Sequence, residues 1–366
     1  MRILTVSNYE TLVSPKVEAL LLLELQKRGL YIEVITGKPS VHTLAFEQAG
    51  IRVHHHTHPR SKIDLTAIRY IRKHLINGHF DILHLFTGRG ASNGTLAAMG
   101  LPVKVITYRG AGDLYWHDPT AWLSHLNPRV DHISCLSEYV KRQVDRQFFL
   151  RPKKTSVQYK AFPAEWFEKP EPARRSTLGI PHDAILVGSV ANYRKVKGIE
   201  SLIRATHKLA GDKRIWLILA GRGMDGAPLD KLIARSPMKE RILALGFRDD
   251  VFNLVKACDI YVQPSLNEGL SKSVMEAIML EVPCVITNAG GMPELIDHGK
   301  SGWICPVNDP RALADAISIL ANDLPLRQHL ATQARIDLLA RFSINKYVES
   351  TLEMYRLVLS QKIISQ

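Results

Sequence analysis

The amino-acid sequence predicts an α/β protein of two doubly wound domains, each a parallel sheet wrapped by helices. Short apolar runs alternate with longer segments of helical period from Ile3 to Phe148, and the alternation resumes from Ile185 to Thr287. This alternation is typical of parallel strands joined by crossover helices. Between the two stretches, FPAEWFEKPEPARRSTLGIP contains four prolines and no clear period, which indicates a linker. A chain of 366 residues also exceeds what one ordinary core fills.

The predicted strands are short runs rich in Ile, Val and Leu, which suit a pleated, buried surface. They are Ile3–Val6, Ile32–Ile35, Ile51–His55, Ile82–Phe86, Val103–Thr107, His132–Leu136, Ile185–Val190, Ile215–Ala220, Ile242–Leu245, Ile260–Val262 and Cys284–Thr287. The predicted helices carry apolar residues at helical spacing. They are Lys16–Arg28, Val41–Gln48, Leu65–Leu75, Glu138–Phe148, Ile199–Leu209, Val251–Lys256 and Ser273–Leu280.

The domain boundary is placed in the proline-containing segment. We expect a first domain at 1–165, a linker at 166–182 and a second domain at 183–344, with a C-terminal helix at about 345–366 that packs back on the first domain. Doubly wound sheets bind ligands beyond the carboxyl ends of their strands. The sequence therefore predicts two Rossmann-like domains that face each other across a ligand cleft.

Composition and charge narrow the class of protein. Hydrophobic residues make up 46% and charged residues 23%, an ordinary globular balance, and no apolar run approaches the roughly 20 residues of a membrane span. The N-terminus lacks a signal peptide pattern, so a cytoplasmic location is expected. Residues 1–170 hold 23 Lys and Arg against 14 Asp and Glu, so they carry +9 of the net +13. Such a surface attracts phosphorylated sugars, anionic lipid headgroups or nucleic acid, and charge alone does not choose among them.

Two glutamates follow the strand-like run IYVQPS. Glu268 lies in a loop, and Glu276 lies in the early turns of a helix that Ser271 can cap. The amides near Leu270 and Ser271 sit at a helix N-terminus, which favours a phosphate, and carboxylates accept pairs of sugar hydroxyls. The arrangement suits a nucleotide-sugar. The alternative is that both residues are ordinary loop and early-helix acids.

The surrounding motifs resemble glycosyltransferase family 4, whose members are retaining enzymes of the GT-B fold. The motifs that carry the resemblance are Pro264-Ser265, Glu268 to Glu276, Pro283-Cys284-Val285, Gly290-Gly291, Glu294, Gly302, GFRDDV from Gly246, and Lys197-Gly198. The likeness is close over residues 185–320 and looser in the first half. GRGMDG at Gly221–Gly226 matches a dinucleotide fingerprint, but we interpret the match as accidental. It opens the second βα unit of its domain rather than the first, Pro228 interrupts the transition from glycine to helix, and no acidic residue ends the next strand.

The resemblance assigns a role to each matching residue. It implies that Glu276 holds the donor ribose, that Glu268 binds the transferred sugar, and that Lys197 neutralises the diphosphate. The amides of Gly269, Leu270 and Ser271 would cradle the phosphates. The loop of Gly246, Phe247 and Arg248 would flank the base.

Three departures from the family pattern concern charge and backbone near the reacting atoms. Asn192 replaces the usual Arg, so Arg194 or Lys195 would supply the second positive charge. Arg109 stands where many members carry His, and an arginine stabilises charge without exchanging a proton; nearby His117 is the other candidate. The segment Asn8–Pro15 lacks the glycines that let backbone approach the diphosphate.

No metal site is expected. The chain contains no Asp-x-Asp pair, its four cysteines are scattered, and consecutive histidines in HHHTH at His54–His58 point to opposite faces of a strand. The leaving diphosphate would then be stabilised by cations and amides, with front-face attack by the acceptor hydroxyl.

The function predicted is transfer of a sugar from a nucleotide-sugar to a hydroxyl of a glycan or glycolipid, in bacterial polysaccharide or lipopolysaccharide synthesis. The donor is a co-substrate, with a UDP-sugar favoured over a GDP-sugar, and no other cofactor is expected. An anionic membrane surface is a candidate partner and nucleic acid is not. The alternatives are a non-catalytic nucleotide-sugar-binding subunit and a nucleotide-sugar epimerase of the same fold.

Overall fold

The structure is a computed structural model, which describes residues 1–11, 15–148, 154–167 and 170–361. It divides into two compact units. Unit 1 comprises Met1–Phe162 and Phe342–Gln366, and unit 2 comprises Pro163–Arg341. The proline-containing segment lies in unit 2, where Ala164–Phe167 and Arg175–Leu178 form short 3-10 helices.

Unit 1 contains a parallel sheet in the order β3-β2-β1-β4-β5-β6-β7. Its strands are β1 (Arg2–Val6), β2 (Tyr31–Thr36), β3 (Arg52–His55), β4 (Ile82–Leu85), β5 (Lys104–Arg109), β6 (His132–Cys135) and β7 (Thr155–Val157). The connecting helices are α1 (Lys16–Lys27), α2 (Val41–Gln48), α3 (Leu65–Gly78), α4 (Gly88–Ala97) and α5 (Glu138–Asp145). Strands β1, β4 and β5 are almost wholly buried because helices cover the sheet.

Unit 2 contains a second parallel sheet in the order β10-β9-β8-β11-β12-β13. Its strands are β8 (Ile185–Val190), β9 (Ile215–Ala220), β10 (Ile242–Ala244), β11 (Ile260–Gln263), β12 (Cys284–Thr287) and β13 (Trp303–Cys305). Its helices are α6 (Ile199–Leu209), α7 (Ala227–Ala234), α8 (Val251–Lys256), α9 (Lys272–Met279), α10 (Pro310–Asn322) and α11 (Leu324–Arg341). The predicted class, two parallel α/β sheets in two domains, is confirmed.

The last helix, α12 (Ile344–Ser360), belongs to unit 1. The hydroxyl of Tyr355 lies 2.8 Å from Nδ1 of His84 on β4. Gln158 donates to the carbonyl of Ser350 at 3.1 Å and accepts from its hydroxyl at 2.7 Å. These buried polar contacts fix the helix on the sheet of unit 1.

The four cysteines are all unpaired and buried. Burial raises the pKa of the Cys135 and Cys305 thiols to about 12, which makes both thiols unreactive near neutral pH. Among the described residues, no helix has the combined length and apolarity that a membrane span requires.

Candidate functional site

The loop that carries Glu268 leaves the carboxyl end of β11 and leads into α9. It is held by the end of β12 and the turn that follows. Thr287, the last residue of β12, donates its hydroxyl hydrogen to the carbonyl of Ser265 at 2.5 Å, and the amide of Gly291 donates to the carbonyl of Glu268 at 2.9 Å. A Cβ on Gly290 would lie 2.0 Å from that same carbonyl oxygen, and its φ is +59°. Glycine at position 290 is therefore required for the close approach that positions Glu268.

Lys197 and Glu268 form an ion pair at this place, with Nζ 2.5 Å from Oε2. Lys197 ends a 3-10 helix (Lys195–Lys197), and Gly198 follows in the left-handed conformation with a φ of +66°. A Cβ on Gly198 would lie 1.9 Å from the carbonyl oxygen of Pro264. The amide of Leu266 also donates to the carbonyl of Val196 at 2.8 Å. These backbone contacts bring together two residues that are 71 positions apart in the sequence.

Glu276 lies in the second turn of α9 and its side chain is only 14% exposed. Burial raises the pKa of its carboxyl group, while Lys272, whose Nζ is 3.7 Å away, acts in the opposite direction. A carboxylate kept in such a position costs stability unless a ligand supplies donors to it. The Glu276 carboxyl group is therefore not a solvated surface acid.

A network of polar side chains lies beneath the loop. Ser273 and Tyr261 donate to Oε1 of Gln263 at 3.0 and 3.3 Å, and Nε2 of Gln263 donates to Ser265 at 3.0 Å. Ser265 in turn donates to Glu268 at 3.4 Å. Sequence reasoning missed this network, although the polar Gln263 and Ser265 in an otherwise apolar strand end were a visible signal.

The N-terminus of α9 lacks the side-chain cap that the sequence suggested. Ser271 occupies the N-cap position, but its side chain makes no capping hydrogen bond and its hydroxyl lies 3.1 Å from that of Ser273. The Ser271 hydroxyl therefore pairs with a neighbouring hydroxyl instead of with a helix amide. Gly269, Leu270 and Ser271 remain at a helix N-terminus, which favours an anion.

Three further strand ends in unit 2 meet through glycine contacts. Gly221 has a φ of +135°, and a Cβ on it would lie 2.0 Å from the carbonyl oxygen of Ala191. The Gly221 amide donates to the carbonyl of Gly246 at 2.7 Å. Asn192 is exposed and accepts from the amide of Arg222 at 3.2 Å. The GRGMDG segment therefore joins neighbouring loops.

The predicted base-flanking loop presents an aromatic side chain. Phe247 is 59% exposed, and the guanidinium of Arg222 lies 5.2 Å from its ring centre. Arg248 donates two hydrogen bonds to Asp250, at 2.8 and 2.7 Å, and this contact lowers the pKa of Asp250. Arg194 is exposed just before the 3-10 helix that carries Lys197.

The remaining predicted residues belong to unit 1. Arg109, at the end of β5, donates to the carbonyl of Ala111 at 2.8 Å and to Asp113 at 2.5 Å. His117 is exposed and its ring stacks on Tyr115 at a centroid distance of 5.4 Å. In the Asn8–Pro15 segment, residues 12–14 lie outside the described residues.

Two curated proteins are similar in sequence to part of this chain. The chain is 29% identical over 201 residues to the N-acetyl-alpha-D-glucosaminyl L-malate synthase of Bacillus anthracis, covering 55% of this chain and 49% of that protein. It is 29% identical over 172 residues to the O-antigen biosynthesis glycosyltransferase WclY of Escherichia coli, covering 47% and 46%. The chain thus spans about half the length of the curated relatives it matches.

Solved structures share the fold across the whole chain. A glycosyltransferase from Rickettsia africae superposes with a TM-score of 0.80 at 19% identity, covering 99% of each chain. Anabaena Alr3699/HepE in complex with UDP superposes with a TM-score of 0.79 at 20% identity, covering 98% of this chain and 100% of that one.

Two family models cover most of the sequence. The model described as Glycosyltransferase Family 4 matches residues 19–165, and the model described as Glycosyl transferases group 1 matches residues 171–337. Together with the two parallel sheets, these matches define a glycosyltransferase-type protein of the GT-B class. The chain belongs to glycosyltransferase family 4.

Proposed function

We propose that the protein is a retaining hexosyltransferase that moves a sugar from a nucleotide diphosphate sugar to a hydroxyl of a glycan or glycolipid. The observation that carries the proposal is the unit 2 site. There, a buried carboxylate (Glu276), a helix N-terminus and the Lys197–Glu268 ion pair follow strand ends of one sheet. The carboxylate of Glu276 suits ribose hydroxyls, Lys197 and the helix N-terminus suit a diphosphate, and Glu268 suits the hydroxyls of a sugar ring.

The Lys197–Glu268 ion pair indicates how the site responds to a donor. Both side chains are largely shielded from water, at 14% and 18% exposed, so either charge would be destabilising without a partner of opposite charge. A diphosphate that reaches Lys197 replaces the carboxylate as its partner. Glu268 is then free to accept the hydroxyls of the transferred sugar.

Bond cleavage places negative charge on the departing diphosphate and positive charge on the sugar ring. Lys197 and the N-terminus of α9 stabilise the negative charge on the diphosphate without a metal ion. Arg194, which is exposed, supplies a further positive charge. In this mechanism the acceptor hydroxyl attacks from the face that the diphosphate leaves, and the phosphate takes the proton. A product of inverted anomeric configuration in an NMR assay would contradict this mechanism.

The donor is proposed to be a UDP-sugar. Anabaena HepE, which shares the fold, has been crystallised with UDP and with UDP-glucose. In this chain the exposed ring of Phe247, beside the guanidinium of Arg222, offers a flat surface for a nucleobase. The Gly246–Arg248 loop would then hold the base beyond the ribose at Glu276.

The acceptor is proposed to be a surface glycan or its lipid-linked precursor, made at the inner face of the bacterial membrane. Relatives include an O-antigen glycosyltransferase of Escherichia coli and a lipopolysaccharide core glycosyltransferase of Rhizobium meliloti. The excess positive charge in residues 1–170 suits an anionic acceptor or lipid surface. Sedimentation with anionic liposomes tests this, and the absence of salt-sensitive binding would contradict it.

The function is tested by incubating the purified chain with a UDP-sugar and candidate acceptors, and by following UDP release and product formation. Lys197→Ala is expected to lower kcat by about 100- to 1,000-fold, since it removes one cation from the leaving group. Lys213→Ala is the control, because Lys213 is exposed and precedes β9, at the opposite end of the strands from the site, and it should leave kcat unchanged.

Two outcomes would contradict the catalytic proposal. Donor binding without UDP release on any acceptor would instead support a non-catalytic binding subunit, which the replacements at Asn192 and Arg109 permit. Equal activity of the Lys197→Ala and Lys213→Ala variants would show that Lys197 does not act on the diphosphate.

A further inference from the structure

Three side chains with metal-binding atoms converge in unit 1, and none of them belongs to the site described above. They are Glu33 of β2, His54 of β3 and His74 of α3. One ligand atom from each lies within 4.8 Å of the others, and this is the one such group among the residues that the structure describes. Glu33 is buried and the two histidines are half-buried.

The fold explains why one histidine of the His54–His58 run reaches this cluster. Glu33 pairs with Arg52 in the parallel register of β2 and β3, so His54, two residues further on, lies on the same face of the sheet as Glu33. His55 points to the opposite face, where its Nδ1 lies 2.6 Å from the carbonyl of Gly37. This alternation agrees with the prediction that the His54–His58 run as a whole cannot surround one ion.

The third group comes from the helix that covers this face. The rings of His54 and His74 lie 4.2 Å apart between centroids, and Nε2 of His54 lies 2.6 Å from Oε2 of Glu33. The Tyr31 hydroxyl donates to the other oxygen, Oε1, at 2.6 Å. This contact fixes the carboxylate so that Oε2 faces the histidines.

We propose that Glu33, His54 and His74 form a zinc-binding site that joins the edge strand β3 to its neighbour β2 and to helix α3. Two imidazole nitrogens and one carboxylate oxygen are ligands that Zn²⁺ accepts in tetrahedral geometry, with water in the fourth position. The His54 side chain is 25% exposed, so a water molecule and the incoming ion can reach the cluster.

The distances require only small side-chain movements. Zinc–ligand bonds of about 2.0–2.2 Å in a tetrahedron place ligand atoms about 3.3 Å apart. Binding of the ion would therefore lengthen the 2.6 Å distance between the Glu33 and His54 atoms by under about 1 Å. It would shorten distances between ligand atoms that are now as long as 4.8 Å by about 1.5 Å. Rotation about side-chain bonds supplies both movements.

Nearby positive charge limits the expected affinity. Arg52 acts electrostatically on Glu33, and Lys73 acts on His74. The positive charges of Arg52 and Lys73 disfavour binding of a divalent cation, whereas the negative charge of the fixed carboxylate favours it. We expect a dissociation constant on the order of micromolar, which corresponds to about 8 kcal/mol of binding free energy.

The test uses the full chain without an affinity tag, stripped of metal. Equilibrium dialysis against Zn²⁺ should give one tightly held ion per chain, and Zn²⁺ should raise the Tm because it binds only the folded state. Substitution of Co²⁺ should produce the strong visible absorption of a tetrahedral site with nitrogen and oxygen ligands.

His54→Ala and His74→Ala should each weaken Zn²⁺ binding at least tenfold and abolish the Tm increase. His55→Ala is the matched control, since it lies in the same run on the other face, and it should bind as the wild type does. Binding that persists in both His54→Ala and His74→Ala, or a weak octahedral Co²⁺ spectrum from the wild-type chain, would overturn the proposal. The spectrum decides the matter even if a variant fails to fold.

Discussion

At the scale of single residues, Glu276 shows a conflict between stability and the proposed binding function. Burial raises the pKa of its carboxyl group, so the folded chain holds this proton more tightly than the unfolded chain does. Ionisation of Glu276 therefore opposes folding, and the loss of stability grows as the pH rises from the unfolded pKa through the folded pKa. Functional sites commonly carry a cost of this kind.

We predict that Glu276→Gln leaves the Tm of the ligand-free chain equal to or above that of the wild type, because an uncharged amide replaces a buried carboxylate. The same change should weaken donor binding by about 10- to 100-fold, since it removes charge-assisted hydrogen bonds to ribose. Thermal unfolding and calorimetric titration with the donor measure the two effects. Glu240→Gln is the control, because that side chain is 87% exposed, and it should change neither quantity. A lowered Tm with unchanged donor affinity would mean that Glu276 has only a structural role.

The residues of the site differ in how far the sequence could predict them. Motif spacing and the family resemblance predict Glu268, Glu276 and Lys197 as site residues, and their functional roles stay predictions. The contact between Lys197 and Glu268 was not foreseen, because it depends on a left-handed Gly198 packed against the carbonyl of Pro264. No local sequence pattern reports a contact across 71 positions.

At the scale of elements, the turn at Gly198 connects a 3-10 helix to α6 and thereby positions Lys197. A side chain at this position would meet both an unfavourable φ of +66° and a carbonyl oxygen 1.9 Å from its Cβ. The neighbouring backbone cannot move away freely, because Leu266 is hydrogen-bonded to Val196 in the same crossing. The conformation is therefore specific to glycine.

We predict that Gly198→Ala destabilises unit 2 by about 2 kcal/mol or more, through backbone strain and the clash with Pro264. Chemical unfolding followed by tryptophan fluorescence measures the loss. Gly211→Ala serves as the control, because no atom lies within 4 Å of a Cβ built there and its φ is not positive. Equal stability of the two variants would contradict the structural reason given for the Lys197-Gly198 pair.

Helix α4 shows why some elements escaped prediction. Its sequence, GRGASNGTLA, contains three glycines and no clear apolar period, so the sequence alone does not predict a helix here. Thr87 caps it by accepting from the amide of Gly90 at 3.1 Å. A Cβ on Gly94 would lie 2.4 Å from a Leu85 side-chain carbon, so the helix packs closely on β4. Tertiary contact here outweighs the low intrinsic helix propensity of glycine.

At the scale of the whole molecule, the sequence predicted two doubly wound domains, and both parallel sheets confirm that class. The order of strands within each sheet could not be read from alternation alone, because the same pattern fits several crossover sequences. Acid is expected to destabilise unit 1 in particular, because three deeply buried histidines lie there: His84, His125 and His132.

Burial lowers the pKa of His84 and His125 to about 3 and that of His132 to about 4. As the pH falls, the unfolded chain therefore takes up these protons before the folded chain does. The free energy of unfolding of unit 1 decreases progressively as the pH falls from about 6.5 towards 3. Each histidine contributes a slope of up to about 1.4 kcal/mol per pH unit. Urea unfolding at several pH values should show this fall, and His125→Gln should make it shallower. The exposed His182→Gln should not, and an identical slope in all three proteins would contradict the assignment.

The central claim, a nucleotide-sugar site in unit 2, is tested most directly by thermal shift with a panel of nucleotide diphosphate sugars. At about 100 times its dissociation constant, the true donor adds about 2.7 kcal/mol of stability, equivalent to several degrees in Tm. We predict that at least one UDP-sugar produces this shift in the wild type and in Glu240→Gln, and a much smaller one in Glu276→Gln. A panel in which no nucleotide-sugar raises the Tm, or in which Glu276→Gln responds as fully as the wild type, would contradict the account.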